Sequence, residues 1–240
     1  MSTVLEKPQA ANPFQAPRTA HNVRRQAANL AIVVLAGLST AFAVAALLYL
    51  LLYVLRQGLP YINLDLFIKI PTPNGESGGG IGPAIQGSLI MVGLASLIGI
   101  PLGLFVGIYL SEFGGHGAIS MGVRFLVDVL TGVPTIIFGL FAWILIVVPQ
   151  QSFSGLAGGV ALAIIMIPIV ARTSEEVLRL VPKELREASL ALGATESRTI
   201  LRVVIPAASS GIITGIVLAM ARVAGETAPL LMTAFGTQFF

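Results

Sequence analysis

Long apolar runs separated by short polar segments dominate the pattern along the chain. Charged residues are absent from three long stretches, which lie between Arg25 and Arg56, between Glu76 and Glu112, and between Asp128 and Arg172. Since a transmembrane helix needs about 20 mostly apolar residues, the first two stretches each predict one span. The third is long enough for two spans, and the polar residues 149–152 divide it. A fifth apolar run begins near Pro206.

We therefore predict an all-α fold, a polytopic transmembrane helical bundle with five visible spans. The predicted spans cover about residues 29–55, 86–111, 122–148, 154–171 and 205–224. Residues 1–28 are rich in Ala, Pro, Gln, Asn and Thr, which predicts a disordered cytoplasmic tail before a transmembrane domain over residues 29–240.

The basic residues before the first span predict its orientation. Under the positive-inside rule, Arg18, Arg24 and Arg25 place the N-terminus in the cytoplasm. A cleaved secretory signal is the rival interpretation, but its apolar region is only about 7–15 residues long. The apolar run from Asn29 to Leu55 is far longer, which favours an uncleaved span.

Composition agrees with a membrane protein and excludes several other classes. The chain is 55% hydrophobic and 10% charged, whereas soluble domains carry about 25% charged residues. Its net charge of +3 is too small and too dispersed for nucleic-acid binding. The absence of cysteine excludes disulfides and thiol chemistry. His21 and His116 lie far apart, so we predict no metal site and no cofactor.

Glycine and proline recur inside the predicted spans. Small residues four apart allow close helix packing in lipid, within the chain or across a dimer interface. This spacing occurs at Gly99, Gly103 and Gly107 and again at Gly211 and Gly215. Proline removes a backbone donor and can kink a helix. The spans contain Pro101, Pro134 and Pro168.

The polar segment 172–204 is patterned like a set of short helices. Thr173-x-x-Glu176 is a capping-box pattern that predicts a helix start. Pro182 suits the first turn of the next helix, and Gly193 suits its C-terminal cap. Thr195 can cap a third short helix.

The second of these helices carries a modest apolar stripe formed by Leu185, Ala188 and Leu192. Three partners are open to it: the membrane surface, the chain's own helices, or a groove on another protein. The membrane surface is disfavoured, because the segment has nearly balanced charge and no aromatic residue.

The same segment resembles the EAA loop of ABC importer permeases, E-A-A-x3-G-x9-I-x-L-P. The matching residues are Glu187-Ala188-Ser189, Gly193 and Ile205-Pro206, with Ser189 in place of the second alanine. The resemblance implies that residues 172–204 form a cytoplasmic coupling loop that docks on an ATPase. It also implies ATPase-coupling roles for Glu187, Ala188, Gly193 and Pro206.

The motor itself is predicted to be a separate polypeptide. The three lysines, Lys7, Lys69 and Lys183, do not lie in a G-x-x-x-x-G-K-[ST] phosphate loop. We therefore expect a non-catalytic permease subunit rather than an enzyme.

Residues 221–231, Ala-Arg-Val-Ala-Gly-Glu-Thr-Ala-Pro-Leu-Leu, resemble the A-R-A-x-G-E-T-A-P-L-L signature of phosphate permeases of the PstA type. Residues 78–81 and 128–136 agree with this resemblance. It implies a MetI-like permease in the bacterial inner membrane that imports inorganic phosphate by alternating access. The implied partners are a PstC-like permease subunit, an ABC ATPase dimer and a periplasmic phosphate-binding protein. Such permeases carry a sixth span after this region, which we expect but do not find before Phe240.

Fixed positive charge is needed on a phosphate path, since an unpaired ion in hydrocarbon is very costly. Arginine is always charged and matches phosphate oxygens bidentately. Arg222 follows Pro206 by 16 residues, or roughly 24 Å of helix, and Glu226 at i+4 is expected on the same helix face. Further substrate-path candidates nearer the inner side are Arg172 and the pair Arg124 and Asp128.

Blander interpretations remain open for these residues. Arg222 and Glu226 could form a structural ion pair, and the others could be ordinary charges at span ends. The run GESGGGIGP at 75–83 is either a flexible loop, a surface for the binding protein, or an anion-binding nest. Rival functions are an ABC permease for molybdate or sulfate, an ATP-independent transporter or channel, and a non-transporting scaffold.

Overall fold

The computed structural model describes residues 20–73, 78–115 and 117–236, and within these residues the regular structure is helical. The all-α prediction is therefore confirmed for the described residues. The helices are α1 (Ala20–Gly58), α2 (Leu64–Ile68), α3 (Gly82–Ile108), α4 (Ala118–Gly132), α5 (Thr135–Ala142), α6 (Val148–Gln150), α7 (Gly155–Arg179), α8 (Lys183–Ala191), α9 (Glu196–Thr199), α10 (Ile205–Ala224) and α11 (Ala228–Thr233). A short 3₁₀ turn, Leu59–Tyr61, follows α1.

Three π-helical segments extend these helices without interrupting their paths. Tyr109–Phe113 continues α3, Trp143–Val147 joins α5 to α6, and Ile200–Val204 joins α9 to α10. Among the described residues, four helical runs are long and apolar enough to cross a membrane, or five if a bent pair of helices is counted as one span. These runs are Arg24–Tyr61, Gly82–Phe113, Gly155–Arg179 and Glu196–Ala224, with Ala118–Gly132 plus Thr135–Gln150 as the bent pair.

The first compact unit of the chain ends at Ile62 and contains α1. Five consecutive residues, Leu47–Leu51, are large, apolar and exposed, so the helix is apolar around its whole circumference. Such a helix is typical of a membrane span. The predicted disordered tail over residues 1–28 is wrong for residues 20–28, which are helical because alanine and arginine favour helix there. Residues 1–19 lie outside the described residues.

Helix α7 is the centre of the second unit, which begins at Asn63. The glycine ridge of α3 lies directly on it. A Cβ atom added at Gly103 would lie 2.7 Å from the Cβ of Val170, and one added at Gly107 would lie 2.7 Å from the Cβ of Ser174. The predicted glycine packing is therefore confirmed as packing within the chain.

The glycines of α10 play the same role on another side of α7. A Cβ atom added at Gly211 would lie 2.6 Å from Cγ1 of Val177, and one added at Gly215 would overlap the side chain of Thr173. Helix α7 is thus packed between two helices that approach it through glycine. Of its 25 residues, 14 are buried.

The predicted span 122–148 is two helices rather than one. Helices α4 and α5 meet at an angle of 101°. The break lies at Val133 and Pro134, which both have extended backbone conformations. Proline disfavours helical geometry in the residue before it, so Pro134 ends α4 at Gly132.

The predicted capping box at Thr173 is wrong. Helix α7 continues through this position to Arg179, and the Thr173 hydroxyl donates to the carbonyl of Ile169 at 2.8 Å. A threonine in mid-helix can satisfy its hydroxyl in this way, so it does not begin a new helix.

The other caps of the segment are confirmed. Gly193 has φ of +83°, and it ends α8 in a Schellman motif. The Gly193 N–H donates to Leu190, and the Ala194 N–H donates to Ser189. Thr195 caps α9 by accepting from the N–H of Arg198.

The glycine run before α3 is an ordered turn where the structure describes it. The N–H groups of Gly80, Ile81 and Gly82 donate to the carbonyls of Ile70, Leu66 and Lys69. These donors are therefore occupied, which is inconsistent with an anion-binding nest at 80–82. Residues 74–77 of the run lie outside the described residues.

Candidate functional site

Arg222 and Glu226 lie on different elements, which corrects the expected helix face. Helix α10 ends at Ala224, with Gly225 as its cap, so Glu226 follows the helix rather than continuing it. The N–H groups of Gly225 and Glu226 close the turn by donating to Arg222 and Val223. Among the described salt bridges, none joins Arg222 to Glu226.

Arg222 points towards the break in the bent span. It lines a small pocket of about 20 Å³, room for about one water molecule. The pocket is bounded by Thr131, Val133 and Thr135 around the break, by Phe138, Leu130 and Ile165, and by Pro168 and Ile169 of α7. The arginine is exposed in the isolated chain. Arg222 and Pro168 therefore border one pocket beside the break between α4 and α5.

The turn after Arg222 is anchored on α5. Pro229, in the first turn of α11, is buried, and a Cβ atom added at Gly139 would lie 2.5 Å from its Cα. The Thr233 carbonyl accepts from the N–H of Ser154 at 3.0 Å, which ties α11 to the start of α7. Residues 221–233 thus connect α10 to α5 and to Ser154, the N-cap of α7.

Glu226 lines a larger, mostly apolar cavity of about 590 Å³. The walls come from the beginning of α3, from Gly155 at the start of α7, and from α11. The partly buried Glu226 is the one charged residue among those that line this cavity in the described part of the chain.

The opposite ends of α3 and α7 carry a dense charge cluster around Glu175. Its side chain is 2% exposed. Oε1 accepts from Arg124 Nε at 2.8 Å and lies 2.6 Å from Arg179 Nη2. Oε2 has no hydrogen-bond partner, and Arg172 Nη1 lies 3.6 Å from it. Three arginines thus surround one buried carboxylate.

The pair Arg124 and Asp128 does not form in the way the sequence suggests. Arg124 gives its other donors to backbone carbonyls, at 2.8 Å to Leu110 and 3.2 Å to Gly115. Asp128 instead lies 4.0 Å from Arg172. Arg172 also donates to Glu176 at 3.0 Å. These three candidates therefore belong to one ion-pair network.

A second ion pair lies between Glu112 and Arg186. The guanidinium contacts both carboxylate oxygens, at 3.2 Å from Nε to Oε2 and 2.8 Å from Nη2 to Oε1. The pair joins the π-helical end of α3 to α8 across 74 residues of sequence.

The EAA-like positions lie on the surface of this end of the molecule. Glu187, Ala188, Gly193 and Pro206 are all exposed. The predicted stripe is exposed too, and Leu192 retains 89% of its accessible surface. The stripe is therefore not packed on the chain's own described helices, which leaves a groove on another protein as the favoured partner.

Sequence reasoning missed Glu175, Glu112 and Arg186. A local pattern does not report ion pairs that join residues 51 or 74 positions apart. One signal was present for Glu112, which is the first charged residue after the long apolar run of the second span. Glu175 carried no such signal, because Glu176 beside it has the same side chain but is exposed.

Comparison with known proteins places the chain among transporters. Residues 99–240 match the family described as binding-protein-dependent transport system inner membrane component. The phosphate transport system permease protein PstA of Yersinia pestis is 42% identical over 217 residues, covering 90% of this chain and 73% of that protein. The Xylella fastidiosa (Temecula1) protein of the same name is 44% identical over 218 residues, covering 90% and 76%.

A more distant relative and a solved structure agree. The probable phosphate transport system permease protein PstA of Methanocaldococcus jannaschii is 40% identical over 216 residues, covering 90% of this chain and 76% of that protein. A chain of the inward-facing MetNI methionine ABC transporter superposes with a TM-score of 0.54 at 25% identity, over 59% of this chain and 68% of that one. The charge cluster and the exposed EAA-like segment lie within the family match. The chain therefore belongs to the family of binding-protein-dependent transport system inner membrane components.

Proposed function

We propose that this chain is the permease subunit of an ATP-driven importer of inorganic phosphate. The observation that carries the proposal is residues 221–231, which resemble the phosphate-permease signature and include Arg222, a lining residue of the pocket beside the break between α4 and α5. The relatives named as phosphate transport permeases support the same substrate. The chain performs no chemistry, and a separate subunit hydrolyses ATP.

Arg222 is the residue we propose to contact phosphate on its path. Transferring an unpaired ion into hydrocarbon costs about 20 kcal/mol in the Born limit, so the path needs a fixed cation. Thr131 and Thr135 also line the pocket beside Arg222. The Thr131 hydroxyl donates to the Val127 carbonyl at 2.8 Å, so the Thr135 hydroxyl is the one proposed to donate to a phosphate oxygen. Helix breaks near a cavity free backbone groups for the same purpose.

Glu226 has a different proposed role, because it lines the larger cavity rather than the pocket of Arg222. A carboxylate there repels an anion. We propose that it keeps phosphate from resting in the apolar cavity and directs it towards Arg222. The two residues then act in sequence on the path and not as one ion pair.

Arg172, Arg124 and Asp128 are proposed to border the inner end of the path. Arg172 lies near three carboxylates, at 4.0 Å from Asp128, 3.6 Å from Glu175 and 3.0 Å from Glu176. These negative charges oppose tight anion binding, which suits a release step. Arg124 has committed its donors to Glu175 and to two carbonyls, so its role is to shape this end.

The exposed EAA-like segment supports coupling to an ABC ATPase dimer. Glu187, Ala188 and Gly193 are proposed to contact the motor, and Pro206 lies in the first turn of α10, which follows the segment. Closure of the two ATPase subunits then moves α8 and switches the permease between outward-facing and inward-facing states. A PstC-like permease and a periplasmic phosphate-binding protein complete the proposed complex.

The proposed topology follows from the same assignment. The charge cluster and α8 face the cytoplasm, as does the N-terminus, and Glu226 lies towards the outer side of the inner membrane. The basic residues before α1 and in residues 172–204 agree with this orientation.

Uptake competition tests the substrate. Cells that lack their own phosphate importer would express this chain in full length with its partners, and radiolabelled phosphate would be supplied with excess sulfate or molybdate. We expect phosphate uptake that requires the ATPase and that excess sulfate or molybdate does not reduce. Displacement by molybdate or sulfate would assign a different oxyanion, and uptake without the ATPase would contradict an ABC importer.

A further inference from the structure

The guanidinium of Arg186 connects three elements at one point. It binds both oxygens of Glu112 at the end of α3, at 2.8 and 3.2 Å. It also donates to the carbonyl of Leu178 in the last turn of α7, at 3.0 Å, and to the carbonyl of Val181 just after the helix, at 2.8 Å. The Leu178 carbonyl also accepts from the Val181 N–H at 3.2 Å, so Arg186 adds a side-chain donor to the turn that ends α7.

The pair is enclosed on the carboxylate side. The side chain of Glu112 is 7% exposed and that of Arg186 is 22% exposed. The Ser111 hydroxyl donates to Glu112 Oε1 at 2.9 Å and fixes the carboxylate further. A bidentate, charge-assisted contact of this kind has one preferred geometry, whereas an apolar contact can slide.

Arg186 is one of few attachments that α8 has to the rest of the molecule. None of the residues of α8 is buried. Within the described residues, two α8 side chains hydrogen-bond to other elements, namely Arg186 and Ser189. Ser189 meets the Thr199 hydroxyl at 2.8 Å, so it joins α8 to α9 and not to α3 or α7.

From Glu112 the contacts continue into the body of the bundle. The neighbouring Leu110 carbonyl accepts from Arg124 of α4 at 2.8 Å, and Arg124 binds Glu175 of α7. The π-helical segment Tyr109–Phe113 is therefore held by α8 on one side and by α4 and α7 on the other. These contacts connect α8 to α4, the first helix of the bent pair.

We propose that Arg186 and Glu112 are positioning residues that transmit the movement of α8 to the bundle and so couple ATP hydrolysis to phosphate transport. The inference rests on the proposed function, because it presumes that an ATPase moves α8. Separating the two charges would leave one of them buried without a partner. The pair therefore stays joined while α8 moves, and α3 follows.

The cysteine-free sequence gives a direct test. The double variant Glu112→Cys and Arg186→Cys places the two introduced thiols of the chain at the ends of the ion pair. A polar pocket of about 410 Å³, lined by Ser111, Arg179, Lys183 and Glu187 besides the pair, gives a reagent access to both positions. A flexible bifunctional thiol reagent of about ion-pair length then replaces the electrostatic link by a covalent one.

The complete complex in proteoliposomes is measured for ATP hydrolysis and phosphate uptake. With reduced thiols we expect normal assembly and hydrolysis, but about tenfold less phosphate transported per ATP, a typical size for a coupling effect. Cross-linking should restore most of that ratio. The variant Glu112→Gln keeps the side-chain size and carries no introduced thiol. It should also lower the amount of phosphate transported per ATP.

Matched controls separate the possible failures. Wild type with reagent reports on cysteines of the partner subunits, and Lys69→Gln removes an exposed ion pair elsewhere in the chain and should transport normally. A wild-type complex without ATP-dependent phosphate uptake would refute the proposed function. If the wild-type complex takes up phosphate and the reduced double-cysteine variant transports as much phosphate per ATP as wild type, the coupling role is overturned but the proposed function is not. Parallel loss of assembly and hydrolysis in both variants would also overturn it, because the pair would then be merely structural.

Discussion

Glu175 and Arg124 form an ion pair across 51 residues of sequence, with Arg124 Nε donating to Glu175 Oε1 at 2.8 Å. The carboxylate is almost completely buried, whereas the neighbouring Glu176 has 63% of its side chain exposed. The two glutamates are adjacent on α7, so the chain contains its own comparison between a buried and an exposed acidic residue.

Replacing Glu175 by Gln should destabilise the protein strongly. Breaking a buried ion pair by removing one partner typically costs about 3–5 kcal/mol, because the remaining charges stay uncompensated. Here Arg124 and Arg179 both lose their counter-charge. The measurement is the thermal unfolding of the detergent-purified permease.

The matched control is Glu176→Gln. An exposed ion pair contributes roughly 0–1 kcal/mol, so this variant should unfold close to the wild-type temperature. Equal decreases of the unfolding temperature in the two variants would show that burial is not the reason why Glu175 stabilises the protein.

Replacing Gly103 by Ala should weaken the packing of α3 on α7. The new methyl group would lie 2.7 Å from Val170 Cβ and 2.8 Å from the Ile167 carbonyl, which are both too close. Overpacking of this kind costs about 1–3 kcal/mol. Gly93→Ala is the control on the same helix, because nothing lies within 4 Å of its added methyl group. Comparable loss of folded protein in both variants, measured by size-exclusion chromatography after heating, would argue against the glycine ridge.

Substitutions at Gly193 should be ranked by backbone conformation and not by size. Its φ of +83° lies in the left-handed region, and open space surrounds it. A left-handed residue costs about 1–2 kcal/mol for most side chains, but Asn tolerates it. Gly193→Asn should therefore retain more ATPase in pull-downs than Gly193→Val. The reverse order would indicate that the motor needs a small side chain here.

Much of this architecture could be predicted from the sequence. The three uncharged stretches predict membrane spans because each is longer than the roughly 20 apolar residues that a span needs. Gly193 and Thr195 were predicted correctly as caps, since a cap depends on two or three adjacent residues. The glycine spacing predicted close packing, but it could not name α7 as the shared partner, because spacing describes one helix surface and not its neighbour.

The errors have two causes: a local spacing that fits more than one structure, and partners that are distant in sequence. Thr173 and Glu176 have the spacing of a helix start, yet apolar packing carries α7 through them, and the Thr173 hydroxyl bonds Ile169 instead. Arg222 and Glu226 have the spacing of one helix face, but Gly225 ends the helix between them. Glu175 and Glu112 acquire their partners only in the folded chain, so their importance is not visible in local sequence.

A phosphate path through Arg222 is tested by measuring radiolabelled phosphate uptake by the Arg222→Gln variant. The full-length variant is expressed with its partners, and assembly with the ATPase is checked by pull-down. We predict intact assembly with uptake reduced more than about tenfold, a barrier change of about 1.4 kcal/mol or more. Arg222→Lys, which keeps the charge but not the bidentate geometry, should retain intermediate uptake. Normal uptake by an assembled Arg222→Gln complex would contradict a phosphate path through this arginine.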